Sequence, residues 1–302
     1  MAAHLQKSKS NLSKLFPIFI IFLIIASAGL ALFKVSQKDH VLAPQIALIK
    51  VTGEINSVMA EELSKTIDKA SKDSDIKAIV FEINSPGGSV LPSKEIAEKI
   101  KAISKPKVAW IREVGASGAY WIASATDKIV ADPSSMTGSI GVIGSYLEFS
   151  KLFDKYGVTY QRLVSGKYKD AGSEFKNMSA EERDYLQGKI NKLNQMFISA
   201  VAENRHMDKF YVESLATGEV FLGVEAFENK LVDVLGGKAE AQRTAEKLAK
   251  LKSSRFVEYK TEKGFFELLN SGADVAAYWA GRGIGDAITP ETSNKIEFSA
   301  TI

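Results

Sequence analysis

The sequence contains no cysteine and only three histidines, His4, His40 and His206. The absence of cysteine excludes a thiol nucleophile, disulfides, thiolate zinc sites and iron–sulfur clusters. Two of the histidines lie near the N-terminus, so a mechanism that needs an imidazole in the body of the protein depends on His206. No pattern of metal ligands or phosphate-binding glycines is complete, and the sequence predicts neither a metal nor a cofactor.

The chain also has little net charge, +3, from 39 lysines and arginines against 36 acidic residues. Lys7, Lys9 and Lys14 carry this excess, because residues 1–33 contain no Asp, Glu or Arg. The rest of the chain is neutral. A nucleic-acid-binding protein needs a basic face, so this balance argues against a nucleic-acid partner.

The one long hydrophobic run covers residues 15–33, which are 19 uncharged residues. That length is close to the roughly 20 residues with which a helix crosses a bilayer. The preceding lysines predict a cytoplasmic tail, 1–14, and place the rest of the chain on the extracytoplasmic, periplasmic side of the inner membrane. The alternative is a signal peptide cleaved after Ala26-Ser27-Ala28, but the run continues to Phe33, which favours a retained anchor.

The body alternates strand and helix patterns, which predicts an α/β fold with a mostly parallel sheet and flanking helices. Strands are predicted at 45–51, 76–84, 108–114 and 128–131, and near 140–146 and 158–164. Helices are predicted at 59–72, around 96–103, at 119–125 and at 149–156. A capping box from Ser179 to Glu182 predicts the start of a long amphipathic helix. The predicted organisation is a linker at 34–44, one domain at 45–255 and a tail of unknown role at 256–302.

Two glycine-containing turns follow predicted strands, at the sheet edge where α/β folds bind ligands. The turn Ser85-Pro86-Gly87-Gly88 lets a substrate carbonyl approach backbone N–H groups and could form half of an oxyanion hole. The turn around Ser117 places a hydroxyl at a strand-to-helix junction, which is typical of an exposed nucleophile. Taken alone, each pattern is also typical of an ordinary tight turn.

A nucleophilic serine needs a base, and few residues can serve. His206 lies in a charged stretch after the long helix and resembles a solvated helix end. Lysine remains, provided that burial or a neighbouring cation keeps it neutral. The segment 165–170 offers Lys167 and Lys169, and their spacing does not decide between them.

Several segments closely resemble signature segments of the signal peptide peptidase A (protease IV) family. They are, in chain order, Ile83–Gly88, Ala116–Ala123, Thr137–Ile143, Ser165–Asp170 and Gly218–Gly237. The resemblance covers residues 45–251. It implies a ClpP/crotonase-like fold and a membrane-anchored serine endopeptidase of the short, single-copy form, which uses a Ser–Lys dyad to degrade cleaved signal peptides. It also implies a homo-oligomer, ring-like or dome-like, in which neighbouring copies can share the dyad.

The family's functional residues are carried over position by position. Ser117 resembles the nucleophile, Lys169 the general base and Ser139 the hydroxyl that orients the lysine. The N–H groups of Gly88 and Ser117 resemble the oxyanion hole. The glycines expected along the substrate are Gly87, Gly88, Gly118 and Gly138.

Three other interpretations stay open on the sequence. One is a crotonase-type acyl-CoA enzyme, although its cosubstrate would be absent outside the cytoplasm. Another is a ClpP-class protease that cuts integral membrane proteins instead of signal peptides. The third is an anchored scaffold that keeps the fold without catalysis.

Overall fold

The computed structural model describes residues 43–260. The predicted membrane span at 15–33, the tail before it and most of the tail at 256–302 lie outside this range. Within 43–260, no helix is long and apolar enough to cross a membrane.

Strands and helices alternate along most of the described chain. The strands are β1 (Gln45–Thr52), β2 (Ile76–Ser85), β3 (Lys107–Ala116), β4 (Lys128–Ala131), β5 (Met136–Gly138), β6 (Val220–Leu222), β7 (Val234–Leu235) and β8 (Arg255–Tyr259). The helices are α1 (Ser57–Lys72), α2 (Val90–Lys101), α3 (Gly118–Ser124), α4 (Ser150–Lys155), α5 (Ala180–Arg205), α6 (Lys209–Leu215), α7 (Gly223–Glu228) and α8 (Lys238–Leu248). Both the α/β class and the capping box that begins α5 are confirmed.

All eight strands between residues 43 and 260 join one sheet, in the order β6-β5-β3-β2-β1-β8. Off this order, β4 pairs with β3, and β7 pairs with β4. Every pairing is parallel except β5 with β6. The branch arises because the first half of β3 pairs with β4 and its last residues pair with β5. Since β8 pairs with β1 as far as Tyr259, the sheet extends past residue 255, where the sequence analysis places the domain boundary.

Helices cover the sheet on both faces, which explains why the central strands are apolar on both sides. In β2, Ile79, Phe81 and Ile83 belong to the larger core cluster with α1, α2, α3 and α5. The alternate residues Ala78 and Val80 belong to a smaller cluster with Ala241 and Ala245 of α8.

The strands predicted near 140–146 and 158–164 are wrong, since neither segment has strand structure or a paired neighbour. Both runs contain the β-branched residues that favour strands. Ile140 is buried in the core, but after it the chain leaves the sheet, since Ile143 is 90% exposed and Leu163 is 99% exposed. The sheet instead continues through the short strand β5, which sequence analysis did not predict.

Candidate active site

The carboxyl ends of β2, β3 and β5 meet at one edge of the sheet, because the three strands are parallel neighbours. Between Ile83 and Ser85 the register of β2 against β3 shifts, and the Asn84 side chain accepts a hydrogen bond from the Val114 N–H at 3.2 Å. A bulge of this kind redirects the end of a strand. The bulge places the turn at the end of β3 in contact with the turn at the end of β2.

Ser117 lies at the junction of β3 and α3 with φ 53° and ψ −124°. A positive φ is unusual for a residue with a side chain and is typical of a strained turn at a functional site. The Ser117 hydroxyl makes no hydrogen bond to another residue in the range 43–260. Its position matches the exposed nucleophile that the sequence suggests.

The Ser117 N–H, predicted to belong to the oxyanion hole, has a hydrogen-bond partner within the chain. This N–H donates to the Gly138 carbonyl at 2.9 Å, so it is not available to a substrate. The Gly118 N–H, one residue later, has no partner among the described residues, as expected in the first turn of a helix.

Gly88 presents a second unpaired N–H beside the first. Gly88 forms a parallel bridge with Ile55. The hydrogen bonds of this bridge are made by its neighbours: the Ile55 N–H donates to the Gly87 carbonyl, and the Ser89 N–H donates to the Ile55 carbonyl, both at 2.8 Å. In this geometry the N–H of the bridging residue points away from the partner strand. A Cβ built on Gly118 would lie 3.4 Å from the Gly88 nitrogen, so the two donors are close together.

The other predicted glycines serve the packing of the turns. A Cβ on Gly87 would lie 2.8 Å from the Gly118 nitrogen and from the Ser117 Cβ, so only glycine allows this approach. A Cβ on Gly138 would lie 2.6 Å from the Phe221 ring. Neither Gly87 nor Gly138 lines the cleft that contains Ser117.

That cleft has a volume of about 540 Å³. Its lining includes Gly88, Ser117, Gly118 and Ser139, together with residues of α5 and of the 216–218 segment. A larger cleft of about 720 Å³ lies between α2 and α5 and contains none of the predicted site residues. His206 lines a third cleft, apart from Ser117, which removes the histidine interpretation within this copy.

Ser139 lines the Ser117 cleft and has φ 49°. Its N–H donates to the Glu219 carbonyl at 2.7 Å, which fixes the backbone beside β6. Lys169, in contrast, is exposed and does not line the cleft of its own copy. The structure therefore brings Ser117, Ser139, Gly88 and Gly118 together and leaves Lys169 outside.

The two candidate lysines differ in their partners. The Lys167 ammonium forms an ion pair with Glu181, and this hydrogen bond raises the pKa of Lys167. The Lys169 ammonium has no hydrogen bond or ion pair to another residue between 43 and 260. Asp170 turns to Arg162 and Lys176, and the hydrogen bond from Arg162 holds the pKa of Asp170 below its usual range.

Sequence analysis missed one polar feature of this cleft. Gln187, Asn191 and Asn194 of α5 all line it, at spacings that place them on one helix face. The Asn194 Oδ1 is buried and accepts no hydrogen bond. The spacing of the three amides is visible in the sequence, but their position beside Ser117 is not.

Comparisons with known proteins identify the family of this chain. The model of peptidase family S49 matches residues 99–252, and the model of the NfeD1b N-terminal domain matches residues 45–148. A candidate signal peptide peptidase SppA of Enterococcus faecium is 34% identical over 271 residues, covering 86% of this chain and 76% of the relative. A candidate protease of Methanocaldococcus jannaschii is 36% identical over 224 residues, covering 74% of this chain and 70% of the relative.

Longer relatives match as well. Protease 4 of Haemophilus influenzae is 33% identical over 221 residues, which is 70% of this chain and 36% of the relative. The S49 match includes Ser117, Ser139 and Lys169 and covers about half of the chain. This chain therefore belongs to peptidase family S49, the signal peptide peptidase A family, and is a serine peptidase.

Proposed function

We propose that this chain is a membrane-anchored serine endopeptidase of ClpP/crotonase-like fold that degrades signal peptides with a Ser117–Lys169 dyad. The observation that carries the proposal is the place of Ser117. It stands at a positive-φ turn, in a cleft, next to two backbone N–H groups that have no partner among the described residues. This arrangement suits acyl transfer to a hydroxyl and requires no cofactor.

In the proposed mechanism, neutral Lys169 accepts the proton of the Ser117 hydroxyl while the oxygen attacks a peptide carbonyl. The carbonyl oxygen becomes an oxyanion, which the N–H groups of Gly88 and Gly118 stabilise. The tetrahedral intermediate expels the amine, which takes the proton from Lys169, and an acyl-enzyme remains. Water, deprotonated by the same lysine, then attacks the ester and releases the acid and Ser117.

Three contacts support Lys169 over Lys167 as the base. Lys167 is held as a cation by Glu181, and a cation cannot accept a proton. Asp170 would favour the charged form of a lysine beside it, but it is occupied by Arg162 and Lys176. Lys169 is consequently left without a described partner and is available to another surface.

Because Lys169 does not line the cleft of its own copy, we propose that a neighbouring copy supplies it to Ser117 and Ser139. Large apolar side chains lie exposed between residues 143 and 163, including Ile143, Leu147, Tyr156 and Leu163. A contiguous segment with so many exposed apolar residues is typical of an interface. An oligomer that covers it would also remove Lys169 from water, which a neutral lysine requires.

Signal peptides are proposed as substrates on two grounds. The relative from Enterococcus faecium carries the name of a signal peptide peptidase. In addition, Val90, Ile143 and Ile190 line the cleft and would accept the apolar side chains of such a peptide. The predicted anchor at 15–33 would hold the enzyme at the membrane, where these peptides remain after secretion.

Hydrolysis of a fluorogenic apolar peptide by the full chain in detergent tests the dyad. Ser117→Ala and Lys169→Ala should each abolish turnover, whereas Lys167→Ala, the matched control, should retain it. Full activity of either of the first two variants would refute the dyad.

A mixing experiment tests the shared site. Oligomers assembled from Ser117→Ala and Lys169→Ala chains should regain part of the activity, because some clefts combine an intact Ser117 with an intact Lys169 from the neighbour. If mixed oligomers form but stay inactive, the two residues act within one copy.

A further inference from the structure

One wall of the Ser117 cleft is a face of α5 that carries three carboxamides. Gln187, Asn191 and Asn194 follow each other at intervals of four and three residues, so they share one face of the helix. The row extends over about 10 Å along the helix axis. An extended peptide of about three residues has the same length.

The hydrogen bonds within this row are incomplete. The Gln187 side chain donates to the Asn191 Oδ1 at 2.8 Å. The Asn194 Oδ1 is buried and has no donor. A buried acceptor without a partner destabilises a fold, and in native proteins such a group commonly has a functional explanation. Asparagine is also a weak helix former, so helix stability does not explain its presence here.

A carboxamide has one acceptor group and one donor group, as a peptide bond has. An asparagine in a cleft can therefore accept from a backbone N–H and donate to a backbone C=O of the same ligand. Such contacts do not depend on the side chains of the ligand. They suit an enzyme whose substrates share an extended backbone and differ in sequence.

We propose that Asn194, with Asn191 beside it, is a binding site for the backbone of the peptide substrate, in which the Asn194 side chain turns its Oδ1, buried in the free protein, into the cleft and accepts a hydrogen bond from a substrate N–H. This inference rests on the proposed function, since it names the substrate contacts of the same cleft. Asn194 is a positioning residue: it holds the peptide in register with Ser117 and takes no part in proton transfer.

Peptide binding to the full chain in the Ser117→Ala background tests the proposal, because the ligand then stays uncut. The probe is a fluorescently labelled, extended peptide of alanine and leucine, measured by anisotropy. Asn194→Leu, which has the same number of heavy atoms and the same branching but no polar atom, should weaken binding about tenfold. Gln195→Leu is the matched control, since Gln195 is on the same helix but bonds to Glu213 outside the cleft, and binding should not change.

Peptides that carry a single N-methyl group along the backbone complete the test. One N-methylation should weaken binding to the Asn194 protein about tenfold and should have little further effect on Asn194→Leu, because both changes remove the same hydrogen bond. If Asn194→Leu does not fold, Asn194→Ala replaces it in the same cycle. Equal affinity of the variant and its parent, or losses that simply multiply, would overturn the proposal.

Two controls separate this inference from its premises. Sedimentation should show the same oligomer for Asn194→Leu and its parent; dissociation would mean that the carboxamide faces a neighbouring copy, and the proposal would be wrong. Failure of the dyad would appear differently, as peptide hydrolysis that survives Ser117→Ala in the otherwise native chain. Binding measured in the inactive background does not depend on that result.

Discussion

Gly118→Ala should abolish most of the catalytic activity while the protein remains folded. A Cβ at this position would lie 2.2 Å from the Ser93 Oγ and 3.0 Å from the Ser93 Cβ. The first contact is more than about 1 Å shorter than an ordinary separation of roughly 3.5 Å. Ser93 cannot easily move, because it is fully buried and its hydroxyl donates to the Ser89 carbonyl at 2.8 Å.

The strain must therefore move the start of α3 or the neighbouring turn, and both carry a proposed oxyanion donor. Overpacking of this kind costs about 1–3 kcal/mol of stability. Displacement of one oxyanion donor costs about 10²- to 10³-fold in kcat. We expect kcat for peptide hydrolysis to fall by that factor, and urea denaturation to report only the smaller loss of stability.

Gly188→Ala is the matched control, because a Cβ there meets nothing within 4 Å in the middle of α5. It should leave kcat unchanged and stabilise the helix by about 0.5–1 kcal/mol. Adding Ser93→Ala to Gly118→Ala removes the nearest atom and should restore part of kcat. A folded Gly118→Ala enzyme with normal kcat would refute the assignment of the Gly118 N–H to the oxyanion hole.

Three further predictions concern the buried polar contacts of Tyr120, Arg205 and Asp233. Arg205→Met removes the nearer of the two cations that pair with the Asp233 carboxylate, at 2.7 Å, and leaves Lys128 at 2.9 Å. The variant should cost about 1.5–3 kcal/mol in urea denaturation, because a buried hydrogen bond to a charged group is lost. Exposed Arg243→Met should cost less than about 1 kcal/mol, and equal losses would contradict the role of burial. Tyr120→Phe removes a buried hydrogen bond of 2.9 Å to the Leu231 carbonyl and should cost about 1–3 kcal/mol, and no change would show that water replaces the hydroxyl. Burial raises the pKa of Asp233, but the hydrogen bond and charge of Arg205 outweigh this effect and hold the pKa below its usual value of about 3.9. The charged Asp233 therefore stabilises the fold above a pH of about 3.9, and this contribution is lost as the pH falls below that value. An Asp233→Asn variant whose stability depends on acid in the same way would refute this.

The central strands and the long helix could be predicted because local patterns determine them. The apolar run from Ile76 is buried on both faces of a parallel sheet, and it begins and ends almost where the sequence indicates. The capping box at Ser179 fixes the start of α5 through hydrogen bonds between neighbours in the chain. Such elements depend little on distant contacts.

The errors concern features that distant contacts decide. Residues 140–146 and 158–164 have the composition of strands, but a strand also needs a neighbour with a free edge, and the sequence does not state where one is. The predicted oxyanion donor, the Ser117 N–H, differs by one residue from the proposed donor, the Gly118 N–H, for a similar reason. The Ser117 N–H is already bound to Gly138 of a strand that sequence analysis did not predict.

One proposal accounts for several of these differences together. Apart from the buried Ile140, the segments wrongly predicted as strands carry exposed apolar side chains, and Lys169 follows them in the chain and is exposed as well. In a single copy, these apolar side chains are therefore exposed to water, and Lys169 lies outside the cleft that contains Ser117. An amine in water is protonated at neutral pH, so it cannot act as a base there. A contact between copies would cover the apolar residues and would also bury Lys169, which favours its neutral amine. In this proposal, peptide hydrolysis therefore requires assembly of the oligomer.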